Sequence, residues 1–246
     1  MLVCIDPGHF QYTSKENEKR GTIDYGAIGK QSNEAYNVMV ASRILSDKLK
    51  RQGIDTILTR EELSKPLNWD KRLQIANNPK VDLVVSIHNN AYNSDSCGIE
   101  TLVSKYCKPN DDTMIKADVI HYETAIASKL RNRGLKKSDR ELAILDKTRA
   151  SAILVELGFI SNPLEECLLM DKKWLDKVMD GLVRGICLAY KIPYKTDEPK
   201  HNVLFNGKPY TLEMENVDGR NRIYISELNK LGFKVSYEKG VVRIES

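Results

Sequence analysis

The chain has 246 residues, 41% of them hydrophobic and 29% charged. This mixture excludes a disordered or collagen-like polymer and is enough for a core that needs no staples. Basic side chains (38) exceed acidic ones (34) by a net charge of +4, with a pI near 8.6, well short of a nucleic-acid-binding signature.

Five scattered cysteines without a C-x-x-C pair suit free thiols better than a disulfide framework or a thiolate metal cluster. No apolar run approaches the ~18 residues that cross a bilayer. Met1-Leu2-Val3-Cys4-Ile5-Asp6 begins a strand at once, without the basic and apolar regions of an export signal.

Leu2 to Ile5 reads as a buried strand closed by the turn Asp6-Pro7-Gly8, and Phe10 to Tyr25 as an exposed polar loop. From Glu34, the spacing of Val38, Met39, Ser42, Leu45 and Leu49 predicts a helix ending near Gly53. Ile54–Leu58 is a strand, Arg72–Ala76 lies in a short helix, and Val81–Ile87 is a nearly wholly apolar strand. A long helix is expected over about Thr113–Arg133, strands at Leu142–Leu145 and Ala152–Val155, and a helix in two pieces over Leu164–Tyr190. Apolar strands alternating with amphipathic helices predict an α/β fold: a mostly parallel twisted sheet with helices on both faces.

Ligands of such sheets bind at the carboxyl ends of strands. The polar residues expected there are Asp6 and His9 after the first strand, His88 after the third and Glu156 after Val155. Two histidines and one carboxylate with an open position make a hydrolytic zinc site. Glu34, in the first turn of its helix, is the best-placed carboxylate, with Asp24 the competitor; an acid favouring the helix dipole is an equal reading of Glu34. Glu156, among apolar residues, should have a raised pKa suited to proton transfer, the other reading being a buried ion pair. His121 and His201 are expected on the surface, and so are Arg72 and Arg133, unless these two arginines support the site from behind. Asn89 and Asn90 serve either the substrate or the strand-end turn. The cationic run from Lys129 to Arg140 lacks interleaved aromatic residues and reads as a solvated face rather than a nucleic-acid surface.

Ile5-Asp6-Pro7-Gly8-His9, Asp24-Tyr25-Gly26-Ala27-Ile28-Gly29 leading to Glu34, Ser86-Ile87-His88-Asn89-Asn90-Ala91 and Val155-Glu156-Leu157-Gly158-Phe159-Ile160-Ser161-Asn162-Pro163 follow one another in a recognisable order. Together they resemble the zinc-dependent N-acetylmuramoyl-L-alanine amidases (amidase 3) of bacterial autolysins and phage endolysins. The resemblance runs from Met1 to about Tyr190, with Tyr25 in place of a usual proline and a lengthened loop before Asp24. It implies that His9, Glu34 and His88 hold Zn2+, that Glu156 is the catalytic acid/base, and that the substrate is peptidoglycan. The bond cut is then the amide between N-acetylmuramic acid and L-alanine. A phage endolysin, made in a cytoplasm and acting on the wall after release, is the expected setting. A bacterial autolysin, a spore or mother-cell lysin, and a zinc peptidase cutting another wall bond are the alternatives.

The expected division is a catalytic domain at 1–192, a proline-bearing linker at 193–200 and a small α+β module at 201–246. In the module, Asn206-Gly207 predicts a type I′ hairpin, Ser226–Leu231 a short helix, and Lys234–Tyr237 with Val241–Ile244 a second hairpin. This segment resembles the small repeat named after the copper amine oxidase N-terminal domain. It carries no His or Cys cluster for copper, and attachment to anionic cell-wall polymers is the expectation, the other reading being packing on the catalytic domain or pairing with another copy through an open sheet edge.

Overall fold

The computed structural model describes residues 1–9, 24–61, 69–195, 200–206, 208–217, 220–223, 225–228, 231–238 and 241–245. The sequence-predicted loop at 10–23, part of the linker, and Gly207 of the predicted hairpin turn lie outside them.

Six strands form the main sheet: β1 (Leu2–Pro7), β2 (Asp55–Leu58), β3 (Leu83–Asn90), β4 (Ile99–Val103), β5 (Asn132–Lys137) and β6 (Ser151–Phe159). Their order is β2-β1-β3-β6-β4-β5, and every pairing is parallel except β4 with β6. The predicted mostly parallel α/β sheet is what the chain forms.

The faces of the sheet are covered unequally. One receives the long helices α1 (Glu34–Arg51), α3 (Asp112–Ser128) and α6 (Lys172–Ala189). Odd positions of the strands (Val3, Ile5, Leu83, Val85, Ile87, Ile153, Val155) pack there against Val38, Leu45, Ile120, Leu182 and Ile186. The other face has only the short helices α2 (Trp69–Ala76) and α4 (Ala143–Asp146), whose Ala76, Ile144 and Leu145 join Cys4, Val84, Ala152 and Leu154 in a smaller core. That second core covers the early part of the strands. Further along the same face, the even positions Asp6, Ser86, His88, Glu100 and Glu156 are polar, as alternation along a strand requires. Helix α5 (Pro163–Met170) follows β6, its Asn162 cap accepting from the amides of Leu164 and Glu165.

Several elements differ from the sequence expectation. Leu142–Leu145 is no strand: Ala143–Asp146 is a helical turn, closed by the Asp146 carboxylate accepting from the Leu142 amide at 2.8 Å. Four apolar residues cannot by themselves distinguish the two. The long helix stops at Ser128, whose hydroxyl bonds the Ala125 carbonyl, with Lys129 left-handed at φ 56°. The next residues enter β5. Strand β4 is short and interrupted by Glu100 and Thr101, and β5 has Leu135 as its one large apolar residue, so neither reads as an apolar run.

Beyond the main sheet, β7 (Lys200–Phe205), β8 (Lys208–Val217) and β9 (Arg220–Ile223) form an antiparallel sheet. Then α7 (Ile225–Leu228) leads to the hairpin of β10 (Lys234–Glu238) and β11 (Val241–Glu245). Phe205 pairs with Lys208 and Asn206 is left-handed at φ 50°, as a two-residue type I′ loop demands. No described helix is long and apolar enough to cross a membrane.

Candidate active site

The carboxyl end of β1 is built on a buried charge pair. Asp6 is wholly buried and accepts from Arg72 Nε (2.8 Å) and Nη2 (2.6 Å), Thr59 Oγ1 (2.6 Å) and Ser86 Oγ (2.7 Å). Burial opposes its charge, but the Arg72 guanidinium and these hydrogen bonds hold its carboxyl below the usual range. Arg72, expected on the surface or in support of the site, is 1% exposed. It also donates to the Pro7 carbonyl, and Arg60 donates to the carbonyls of Pro7, Gly8 and Ala35. Two buried guanidinium groups thus fix the turn that delivers His9, which is itself left-handed at φ 59°.

Glu34 enters from α1. Asn33 caps the helix by accepting from the Tyr36 amide, and the Glu34 and Ala35 amides donate to the carbonyls of Ala27 and Tyr25. Opposite, the Glu166 carboxylate takes the amides of Lys30, Gln31 and Ser32 at 2.7–3.1 Å and locks the preceding loop. Glu34 is 3% exposed. Its Oε1 accepts from the Asn89 amide (2.9 Å) and its Oε2 from the Ala27 amide (2.9 Å).

The two histidines converge on this carboxylate. His9 Nε2 lies 3.0 Å from Glu34 Oε2, His88 Nδ1 lies 2.9 Å from Oε1, and the rings meet edge to face with centroids 5.0 Å apart. Asp24, the rival carboxylate, lies behind: its Oδ2 is 3.0 Å from His9 Nδ1, the usual way to orient a metal-binding imidazole. Burial disfavours a charged His9, but hydrogen bonds to Asp24 and Glu34 outweigh it and raise its pKa to about 9. For Glu34, burial is outweighed by both histidines, and its carboxyl is held well below the ordinary range.

Two glycines make the convergence possible. A Cβ on Gly8 would lie 2.5 Å from His88 Cε1, and one on Gly26, whose φ is +68°, would lie 2.5 Å from Glu34 Oε2.

The donor set fits a zinc ion. The ligand atoms of the three residues lie within 4.8 Å of one another, the sole such convergence among the described residues. Tetrahedral bonds of about 2.0–2.2 Å require ligand atoms roughly 3.3–3.6 Å apart, so the two contacts to Glu34, at 3.0 and 2.9 Å, would open slightly and the wider separations, up to 4.8 Å, would draw in.

Glu156 sits in register beside His88 on β6. Its Oε2 is buried without a hydrogen-bond partner, a costly position for a structural carboxylate. Burial, followed by the charges of Glu34 and Glu100, pushes its pKa well above the usual value. Hence the ion-pair reading of Glu156 finds no partner at that oxygen. Glu100, its neighbour on β4, was not foreseen from sequence; Arg133 and Lys136 bind it.

Asn89 and Asn90 are committed to the fold. The Asn89 backbone amide holds Glu34, the Asn89 side-chain Nδ2 donates to the His88 carbonyl, and the Asn90 side chain bridges Glu100 and the Ala91 amide. His121, expected on the surface, is 3% exposed between Thr101 and Asn132. It sits on α3 facing the sheet. The His201 side chain lies outside the described residues.

Residues 3–187 match the family model described as N-acetylmuramoyl-L-alanine amidase. An uncharacterised cell wall amidase of Bacillus anthracis is 30% identical over 200 residues, which cover 77% of this chain and 35% of that protein. The chain thus spans about a third of this relative's length. The endolysin of Bacillus phage SPP1 is 29% identical over 238 residues, covering 88% of this chain and 83% of the endolysin. Among solved structures, the catalytic domain of the amidase CwlV from Bacillus (Paenibacillus) polymyxa var. colistinus superposes with a TM-score of 0.67 at 28% identity, covering 78% of this chain and 99% of that one.

Proposed function

Because the chain belongs to the N-acetylmuramoyl-L-alanine amidase (Amidase_3) family of hydrolases, we propose that it cleaves the amide between N-acetylmuramic acid and L-alanine with a zinc ion held by His9, Glu34 and His88. The observation that carries this reading is the convergence of two imidazole nitrogens on one buried carboxylate beside an unpartnered Glu156. Zinc in such a site supplies Lewis acidity, polarising an acyl oxygen and lowering the pKa of water to about 7.

The chain's own groups do the rest. Asp24 holds the His9 ring with Nε2 turned inward, and the Asn89 and Ala27 amides fix both oxygens of Glu34. Glu156 takes the proton of the attacking water at its carboxylate. An acid whose neutral form is favoured by burial then returns that proton to the departing alanine nitrogen. An amine is a poor leaving group until protonated, so the second transfer matters as much as the first.

The match to a phage endolysin along 88% of this chain favours an endolysin role; an autolysin or spore lysin would use the same chemistry. Residues 1–192 form the catalytic unit in this reading. Residues 201–246 form an accessory module that binds anionic wall polymers, and ending the chain near Lys200 should weaken wall binding while sparing hydrolysis of soluble muropeptides.

The test separates metal from proton transfer. His9→Ala, Glu34→Ala and His88→Ala should each lose bound zinc and amidase activity together. Glu156→Gln should retain stoichiometric zinc and lose about 10²–10⁴ in kcat. Full zinc in the Glu34 variant, or near-parental turnover in the Glu156 variant, overturns the corresponding assignment.

A further inference from the structure

Paired residues on adjacent strands share one face of the sheet. His88 pairs with Glu156 and Glu156 with Glu100, so the three form a row across β3, β6 and β4. At the edge strand β5, the ladder slips between Ile99 and Thr101. There Arg133 Nε (2.7 Å) and Lys136 Nζ (2.6 Å) both donate to Glu100 Oε2, while Asn90 Nδ2 donates to Oε1 at 2.9 Å. Two cations on one carboxylate leave a positive charge in excess. Arg133 is held over the Phe159 ring, 4.8 Å from its centroid, whereas the Lys136 side chain is 43% exposed. Arg140, exposed in the loop after β5, adds a charge close enough to favour ionisation of Glu156.

The row gives the substrate a direction, and this step rests on the reading of Glu156 as the group that protonates the leaving nitrogen. Such a group lies on the peptide side of the scissile bond. The stem peptide therefore leaves across β4 toward β5, and the sugar lies on the β1 side. Neighbouring strands are about 4.8 Å apart, so β5 is about 10 Å from β6, a span of roughly three extended residues. A γ-linked D-glutamate in the second stem position presents its free α-carboxylate within this span, and the stem of Lys136 covers the remainder.

We propose that Lys136, positioned with Arg133 by Glu100 and assisted by Arg140, binds the free carboxylate of the second stem residue, so that the enzyme selects acidic over amidated stem peptides. The probes are two synthetic muropeptides, MurNAc-L-Ala-γ-D-Glu-L-Lys and MurNAc-L-Ala-γ-D-isoGln-L-Lys. Both are carboxamides at the C-terminus and differ only at that carboxylate. The parent enzyme should favour the acidic substrate about tenfold in kcat/KM, mainly through KM, as a charge-assisted hydrogen bond would give, and added salt should reduce the preference. Lys136→Met should abolish the preference and Lys136→Glu should invert it. The ratio is taken within one preparation, so incomplete folding does not alter it. Equal kcat/KM for both substrates with the parent, or a preference that survives in both variants, overturns the inference. Failure of the parent to cleave either muropeptide refutes the amidase reading beneath it, a separate result.

Discussion

Asp6→Asn keeps the shape of the side chain while removing one charge from a pair in which Arg72 is 1% exposed and Asp6 fully buried. Arg72 would keep its bond to the Pro7 carbonyl but lose the charge that two of its nitrogens address. Removing one member of a buried ion pair costs about 3–5 kcal/mol, a large part of the 5–15 kcal/mol of a typical domain. With a urea m value of about 2–3 kcal/mol per M, the unfolding midpoint should fall by about 1–2.5 M. Trp69 and Trp174, the two tryptophans of the chain, lie in α2 and α6, so tryptophan fluorescence follows the main-sheet unit alone.

The effect should depend on pH in a defined sense. Arg72 and the hydroxyl donors depress the folded pKa of Asp6 against the cost of burial. The stabilisation is then complete above the unfolded value of about 3.9 and is lost as pH falls below it toward the folded value. The gap between parent and variant should be widest near neutrality and should narrow below pH 4. A midpoint shift under about 0.3 M at pH 7, the size expected for an exposed pair, would refute the claim that this charge pair anchors the site.

Gly8→Ala should drive the His88 ring from its place, since the new Cβ would lie within 2.5–2.8 Å of three ring atoms; zinc affinity should fall at least tenfold, measured by competition with a chelator, with the far-UV spectrum retained. Zinc affinity of the parent should rise with pH up to about 9, because a proton on His9 competes with the metal; isothermal titration between pH 6 and 9 should show the rise, and a flat profile would contradict it.

The sequence made the centre of the sheet legible because its strands are buried on both faces and read as continuous apolar runs. It also made three residues of the candidate site legible, since His9, His88 and Glu156 each follow or end such a run. Glu34 needed the fold: a first-turn acid is ordinary, and only the meeting of α1 with the β1 and β3 ends gives it two histidines. Strand β4 and the edge strand β5 escaped notice because neither carries a long apolar run; Glu100 went with them, and Arg133 and Lys136 read as parts of a charged surface. His121 was misplaced, and the supporting role of Arg72 stayed only one of two readings, for a different reason: a polar side chain in a helix reads as exposed unless its partner is known. Those partners, Asp6 and Thr101 with Asn132, lie 66, 20 and 11 residues away.

The central claim is the identity of the bond cut, and the most direct measurement is product analysis of purified peptidoglycan digested by the zinc-loaded protein. L-alanine amino groups should be freed in step with the loss of intact muramyl peptides, with no new reducing sugar ends, and a chelator should stop their release. New reducing ends, or free amines of D-alanine or diaminopimelate in place of L-alanine, would contradict the account.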